Sequence, residues 1–249
     1  MSPRSPLPLA IALAGVALVV TGCESTQEQS ARIGAELGPV KQEKGLHITR
    51  PSKDVKVVST TLLTEPEASA VVVRVHNGSD KDLVDVPIAI DVLDAKGNSV
   101  YKNDIPGIEP ELAAIPFVAA GADVDWVNDQ ILATGKPASV KATVGAGGTP
   151  YSGEQPKISV SAPKVEGDPY SGVLAGGNVV NETGEDEGRL LLYAVASKGG
   201  KIVAAGRGAI ERLKPEPKPL PYNIYFVGDP RGGEVTVTDF PTLPGFEEE

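Results

Sequence analysis

The chain has 249 residues and an acidic balance of 33 Asp and Glu against 23 Lys and Arg, which gives a formal net charge of −10. A surface of that sign argues against nucleic-acid binding, because such binding needs basic patches to neutralise phosphates. One cysteine, one methionine and two histidines exclude a disulfide framework, a thiolate zinc site and a copper site built from Met and His. The 28 glycines and 22 prolines favour many turns and few long helices.

The N-terminus has the features of a secretion signal. Arg4 precedes an apolar run over residues 7–20. This run has 14 residues, so it falls within the roughly 7–15 of a signal-peptide core and below the ~20 of a membrane-spanning helix. We therefore predict a signal peptide over residues 1–22, cleaved between Gly22 and Cys23.

The residues around the cleavage point carry a family resemblance. Val20-Thr21-Gly22-Cys23 resembles the lipobox of bacterial lipoproteins. In that family the cysteine thiol receives a diacylglycerol, and the new N-terminus is often acylated. The resemblance implies lipidation of Cys23 and a cell-membrane protein anchored on the extracytoplasmic side. The alternative is an ordinary signal peptide with a chance cysteine, but the position of the chain's single cysteine at the cleavage point favours the anchor.

The rest of the chain divides into segments of contrasting composition. Residues 23–52 are polar, which is typical of a flexible tether behind a lipidated cysteine. A glycine-rich stretch predicts a linker over residues 146–155. The linker would join two folded domains, which we predict over residues 53–145 and 156–242. An acidic tail, residues 243–249, ends the chain.

Two stretches repeat the same features in the same order. Each has an apolar strand that ends in an asparagine, Asn77 or Asn181, followed by an acidic loop, a second apolar strand and a turn at Gly97 or Gly199. Both asparagines begin sequences that match glycosylation acceptors, but we interpret them as turn-forming residues. The repetition predicts two copies of one fold.

The pattern within the repeats indicates β-structure. Residues 84–92 alternate apolar and other side chains with a period of two. Pro87 interrupts this strand, and proline is tolerated in a strand only at an edge or a bulge. Short strands with turns every 8–12 residues and no βαβ alternation predict an all-β fold, composed of two tandem immunoglobulin-like β-sandwiches.

The order of these features also carries a resemblance. Residues 71–126 and 172–226 resemble FxLYD-type and related Ig-like domains of bacterial envelope proteins. The resemblance lies in the architecture, since the motif that names the family is absent from both repeats. It implies a β-sandwich on an envelope protein and no catalytic residues.

No arrangement typical of catalysis is visible in the sequence. A hydrolase needs a nucleophile beside a base, whereas His47 lies in the predicted tether and His76 at a predicted strand end. Aromatic residues make up 4% of the chain, which argues against the aromatic-lined cleft of a glycosidase. We therefore predict a protein without enzymatic activity or cofactor.

Two sets of residues are candidates for binding. The densest group of oxygen ligands, a candidate calcium site, lies next to Trp126 and comprises Asp123, Asp125, Asn128 and Asp129. It lacks the glycine and closing glutamate of a calcium loop, and the alternative is a solvated strand face. The second set is aromatic and is a candidate partner-binding face, with core packing as the alternative: Trp126, Tyr222, Tyr225 and Phe226.

Together these features predict a lipid-anchored bacterial envelope protein whose two Ig-like domains serve non-catalytic binding or spacing at the cell surface. Its expected partners are the membrane, through the lipid, and an unidentified envelope protein or wall polymer. The alternative is an accessory docking subunit of an envelope transport or secretion complex.

Overall fold

The computed structural model describes residues 45–168, 172–215 and 218–246. Within these ranges the ordered elements are sixteen β-strands and one short 3-10 helix, Pro110–Leu112. The prediction of an all-β fold is therefore confirmed. The predicted signal peptide and Cys23 lie outside the described residues. The described residues belong to one compact unit.

The strands divide between an N-terminal half, β1–β8, and a C-terminal half, β9–β16. The N-terminal half comprises β1 (Val55–Thr64), β2 (Ser69–Asn77), β3 (Asp82–Leu93), β4 (Ser99–Lys102), β5 (Ala114–Val118), β6 (Asp123–Asn128), β7 (Ser139–Val144) and β8 (Thr149–Tyr151). The C-terminal half comprises β9 (Ile158–Val160), β10 (Lys164–Asp168), β11 (Gly172–Asn181), β12 (Leu190–Lys198), β13 (Lys201–Ile210), β14 (Leu220–Tyr225), β15 (Val227–Gly228) and β16 (Glu234–Pro241).

The N-terminal half contains two antiparallel sheets. One has the order β1-β2-β6, and the other is organised around β3, which pairs with β5 and β8 along its first part and with β4 and β7 along its second. Pro87 falls in the gap between the last β8 pairing, at Val84, and the first β7 pairing, at Ile88. A proline is tolerated at that point because no neighbouring strand needs its missing N–H, as the sequence predicted.

The C-terminal half repeats this pairing. Strand β11 lies between β14 and the pair β9 and β10, just as β2 lies between β1 and β6. Strand β12 lies between β13 and β16, just as β3 lies between β4 and β7. The predicted turn between β12 and β13 contains Gly199 and Gly200 with φ of 58° and 75°, because a tight hairpin turn needs positive φ at both central positions.

Equivalent asparagines build the same corner in the two halves. The side-chain amide of Asn77 donates to the carbonyl of Lys81, and its oxygen accepts from the backbone and hydroxyl of Ser79. Asn181 makes the matching bonds to Glu185 and Thr183. Both asparagines are buried, so the interpretation as turn-forming residues is confirmed.

Strands β2 and β6, which pair at the centre of the fold, have buried residues on both faces. Val71 and Val73 share the face of Trp126, whereas Val72 faces the other way with Val127. That second face belongs to a hydrophobic core that also contains residues of β12, β13, β15 and β16: Tyr193, Val195, Ala205, Val227 and Phe240. The C-terminal half therefore covers the outer face of the β1-β2-β6 sheet.

Strand β12 is also buried on both faces and therefore contributes to two hydrophobic cores. Leu190, Leu192 and Ala194 pack in a smaller core within the C-terminal half. The alternate residues Tyr193 and Val195 belong to the larger core shared with the N-terminal half. One strand that serves two cores needs apolar residues at consecutive positions, as residues 190–196 have.

Three segments expected outside the folded domains take part in the packing. At the end of the predicted tether, Ser52 donates its backbone N–H to Val144. The predicted linker contains β8, which pairs with β3. At the start of the predicted tail, Leu243 is buried, and Phe246 contacts the ring of Tyr151 edge-on. Within the described ranges, no helix is long and apolar enough to cross a membrane.

Candidate functional site

The three candidate metal-binding aspartates contact three different basic side chains: Asp123 contacts His76, Asp125 contacts Arg74, and Asp129 contacts Arg207. Asp125 accepts two hydrogen bonds from Arg74, at 2.8 and 2.7 Å, and this carboxylate raises the pKa of Arg74. In the described part of the chain, no group of three His, Cys, Asp or Glu side chains is placed to hold a metal. The structure therefore engages these oxygens in contacts with His76, Arg74 and Arg207.

The four candidate aromatic residues divide between core and surface. Trp126 is fully buried, and its Nε1 donates to the carbonyl oxygens of Glu111 and Ala114. Tyr222 is also buried. These two rings cannot form a partner-binding face, and the alternative of core packing is confirmed for them. Tyr225 is 46% exposed, and Phe226 is partly buried against the core of the C-terminal half.

A cleft is lined by residues of both halves. Its volume is about 340 Å³, within the size range of ligand sites in proteins. Its apolar walls comprise Val84, Pro110, Ala114, Pro116, Leu191, Phe240, Pro241, Leu243 and Phe246. Its charged residues are Asp85, Glu111, Arg189 and Glu211. The site thus combines a mainly apolar surface with a few charged groups.

An ion-pair network links the halves beside a second, smaller cavity. Arg207 of β13 donates from its backbone N–H and its Nε to Asp129, at 2.9 and 3.0 Å. Its guanidinium also lies 3.3 Å from Glu109. Burial lowers the pKa of Arg207, but the neighbouring Asp129 and Tyr193 outweigh this effect, and the pKa is raised. Arg207 therefore stays charged inside the interface.

A second pair crosses the interface at the cleft wall. Arg189 contacts the buried carboxylate of Glu111, and its Nε lies 3.4 Å from the exposed Glu211. This pair also borders an adjoining cavity of about 180 Å³ next to Arg207. Burial raises the pKa of the Tyr193 hydroxyl, which lies close to Arg207 and Glu111. Glu111, Arg189 and Glu211 thus balance part of one another's charge.

Asp85 differs from the other charged residues of the cleft. Among the described residues it is the one non-glycine with positive φ, 52°. In the same ranges its carboxyl makes no hydrogen bond or ion pair. Its side chain is exposed at the rim of the cleft, and yet the surrounding protein removes enough water to raise the pKa of its carboxyl. Asp85 is therefore an unpaired carboxylate on a strained backbone.

Thr242 carries the one hydroxyl group that lines the cleft among the described residues. The hydroxyl of Thr242 donates to the carbonyl oxygen of Arg189, at 2.8 Å, and no histidine lines the cleft among the described residues. Sequence reasoning missed this site, because its residues come from both halves. The sequence did contain one signal that the halves pack together, the uninterrupted apolar runs at residues 70–73 and 190–196. A strand buried on one face needs apolar residues only at alternate positions, so these runs indicate strands buried on both faces.

Comparisons with known proteins give no family for this chain: no protein-family model matches it, and no curated protein matches it significantly.

Proposed function

We propose that this protein is a lipid-anchored bacterial envelope protein that uses the cleft between its halves for non-catalytic binding. The anchor is carried by one observation. The single cysteine of the chain, Cys23, follows a 14-residue apolar run, residues 7–20, after the two residues Thr21 and Gly22, the arrangement of a signal peptide that ends in a lipobox. Several acyl chains on Cys23, at ~0.8 kcal/mol per buried CH₂, would hold the protein firmly on a membrane.

The cleft supports binding over simple spacing. A spacer needs only a stable fold with a solvated surface, whereas the cleft keeps apolar side chains such as Phe246 and Pro241 beside an unpaired carboxylate. Concave apolar sites with a few charged groups are typical ligand sites. The cleft residues Thr242 and Arg189 are already bonded to other protein groups, which favours recognition over nucleophilic chemistry.

Metabolic labelling with radioactive palmitate tests the anchor. We expect the wild-type protein to be labelled and the Cys23→Ala variant to lose the label. A matched control, Cys23→Ala combined with Thr26→Cys, restores a thiol three residues away from the cleavage point and should stay unlabelled. Label on either variant would overturn the lipobox assignment, because acylation would then not depend on a cysteine at position 23.

Cross-linking in living cells tests the binding role. A cross-linker placed in the cleft, at position 246, should capture a defined envelope component. A single membrane complex recovered in stoichiometric amount identifies the docking-subunit alternative, and a wall polymer or a free envelope protein identifies a surface binder. Capture of nothing at position 246, with efficient labelling by the same reagent, would leave only the spacer function and overturn the proposal.

A further inference from the structure

We infer that the cleft binds an extended peptide segment of a partner protein, in which a lysine or arginine side chain is flanked by apolar residues. The inference rests on the binding part of the proposed function and is independent of the lipid anchor. It follows from the charge, the walls and the backbone strain of the cleft.

The unbalanced charge of the cleft is negative. Arg189 is neutralised by Glu111 and Glu211, whereas Asp85 has no partner among the described residues. The chain as a whole carries a formal net charge of −10, which attracts cations and repels anions over the distance of a Debye length. A cationic group is therefore the complement of this site.

The walls of the cleft favour a peptide. Pro110 and Pro116 of the N-terminal half and Pro241 and Phe246 of the C-terminal half line it. The cleft is open rather than enclosed and borders the smaller cavity through Glu111. A shape of this kind accepts consecutive side chains of an extended segment, with apolar groups against proline and aromatic surfaces. A bare ammonium ion would leave these walls in water.

The backbone at Asp85 indicates that its position is functional. Non-glycine residues seldom adopt the left-handed region, and the backbone strain of those that do is found at ligand sites. The strained residue lies in the part of β3 that lacks a partner on one side, between the pairings at Val84 and Ile88. Glycine would relieve the strain at this position, but it would remove the carboxylate from the rim of the cleft.

Nuclear magnetic resonance titration tests the inference. The protein is the full mature chain, residues 23–249, with Cys23→Ser and ¹⁵N labelling. The probes are three acetylated and amidated pentapeptides: Ala-Phe-Lys-Phe-Ala, its Gln counterpart Ala-Phe-Gln-Phe-Ala, and Ala-Ala-Lys-Ala-Ala. We expect Ala-Phe-Lys-Phe-Ala to shift the amide resonances of Asp85, Leu243 and Phe246. The other two peptides should bind at least about tenfold more weakly, because a charge-assisted hydrogen bond and a buried aromatic ring each contribute about that much to affinity. The affinity should fall as salt is added.

Variants at Asp85 separate recognition from folding. Asp85→Asn keeps a residue that tolerates positive φ and removes the charge, so the Lys peptide should bind about tenfold more weakly. Asp85→Gly should weaken binding equally and raise the melting temperature, because it relieves the strain. The matched control, Asp80→Asn, removes an exposed carboxylate outside the cleft and should change neither property.

Each contrary result overturns a defined part of the inference. Equal affinity for the Lys and Gln peptides, or an unchanged affinity of Asp85→Asn for the Lys peptide, would show that the cleft does not recognise a cationic side chain. Equal affinity for Ala-Ala-Lys-Ala-Ala and Ala-Phe-Lys-Phe-Ala would show that the apolar walls do not contribute to binding. A lower melting temperature for Asp85→Gly makes Asp85 a structural residue. The palmitate experiment is unaffected by any of these, so failure of the peptide site and failure of the anchor are distinguishable.

Discussion

The ion pair between Arg207 and Asp129 connects the two halves, and the change Asp129→Ala removes one of its partners. Asp129 accepts hydrogen bonds from the backbone N–H and the Nε of Arg207. The side chain of Arg207 is 8% exposed. The variant therefore leaves a buried guanidinium and a partly buried backbone N–H without their main acceptor.

The expected loss of stability follows from this geometry. Removing one partner of a buried ion pair costs roughly 3–5 kcal/mol, because the other charge stays buried and uncompensated. Glu109 remains 3.3 Å from the Arg207 guanidinium, but its side chain is 46% exposed, so it compensates only in part. We expect a loss of about 3 kcal/mol in the free energy of unfolding. Removing the charge as well, in Asp129→Ala with Arg207→Met, should recover about 2 kcal/mol of it.

Urea unfolding followed by far-ultraviolet circular dichroism measures these quantities, with the four proteins of a double-mutant cycle compared at one pH and salt concentration. The control is Asp186→Ala, which breaks the exposed pair with Arg212 and should cost no more than about 1 kcal/mol. A loss below about 1 kcal/mol for Asp129→Ala, or additive effects of the two changes, would refute the reasoning. The pair would then contribute no more than a surface ion pair.

Two further changes test the corner asparagine and a buried carboxyl. Asn77→Ala removes hydrogen bonds to Lys81 and to Val118 inside the fold, so urea unfolding should show a loss of about 3 kcal/mol in the free energy of unfolding. The control, Asn98→Ala at an exposed turn, should cost less than about 1 kcal/mol. Equal losses for the two variants would contradict the structural role of Asn77. Burial raises the pKa of Asp239, so its charged form destabilises the fold as the pH rises above the unfolded value of 3.8. Asp239→Asn should therefore be more stable than the wild type at pH 7 and lose this advantage below pH 3.8; an advantage independent of pH would exclude the carboxyl as its cause.

The β-structure and its turns could be predicted from the sequence because their causes are local. A period of two over residues 84–92 indicates a strand wherever that strand lies in the fold. The positive φ of Gly199 follows from the steric demands of a short hairpin. Asn181 satisfies the backbone of its own loop through a side chain that any loop of this shape would use.

The cleft could not be predicted, since its residues meet only after both halves have folded. Glu111 and Arg189 of the cleft are 78 residues apart, and nothing near either residue in the sequence indicates the other. The metal hypothesis for Asp123 and Asp125 had the same weakness. Proximity along a strand placed both carboxylates on one face, but the neighbouring strand supplied His76 and Arg74 as their partners.

The sequence by itself determined the all-β class, the repeated strand order and the corner asparagines, because periodicity and turn chemistry act over a few residues. It also supports the proposed anchor at Cys23. Only the tertiary structure decided that the second half covers the outer face of β2, that β8 pairs with β3, and that Asp85 is left unpaired at a cleft. These features depend on which apolar faces remain uncovered after each sheet forms, and burial of those faces is what brings distant residues together.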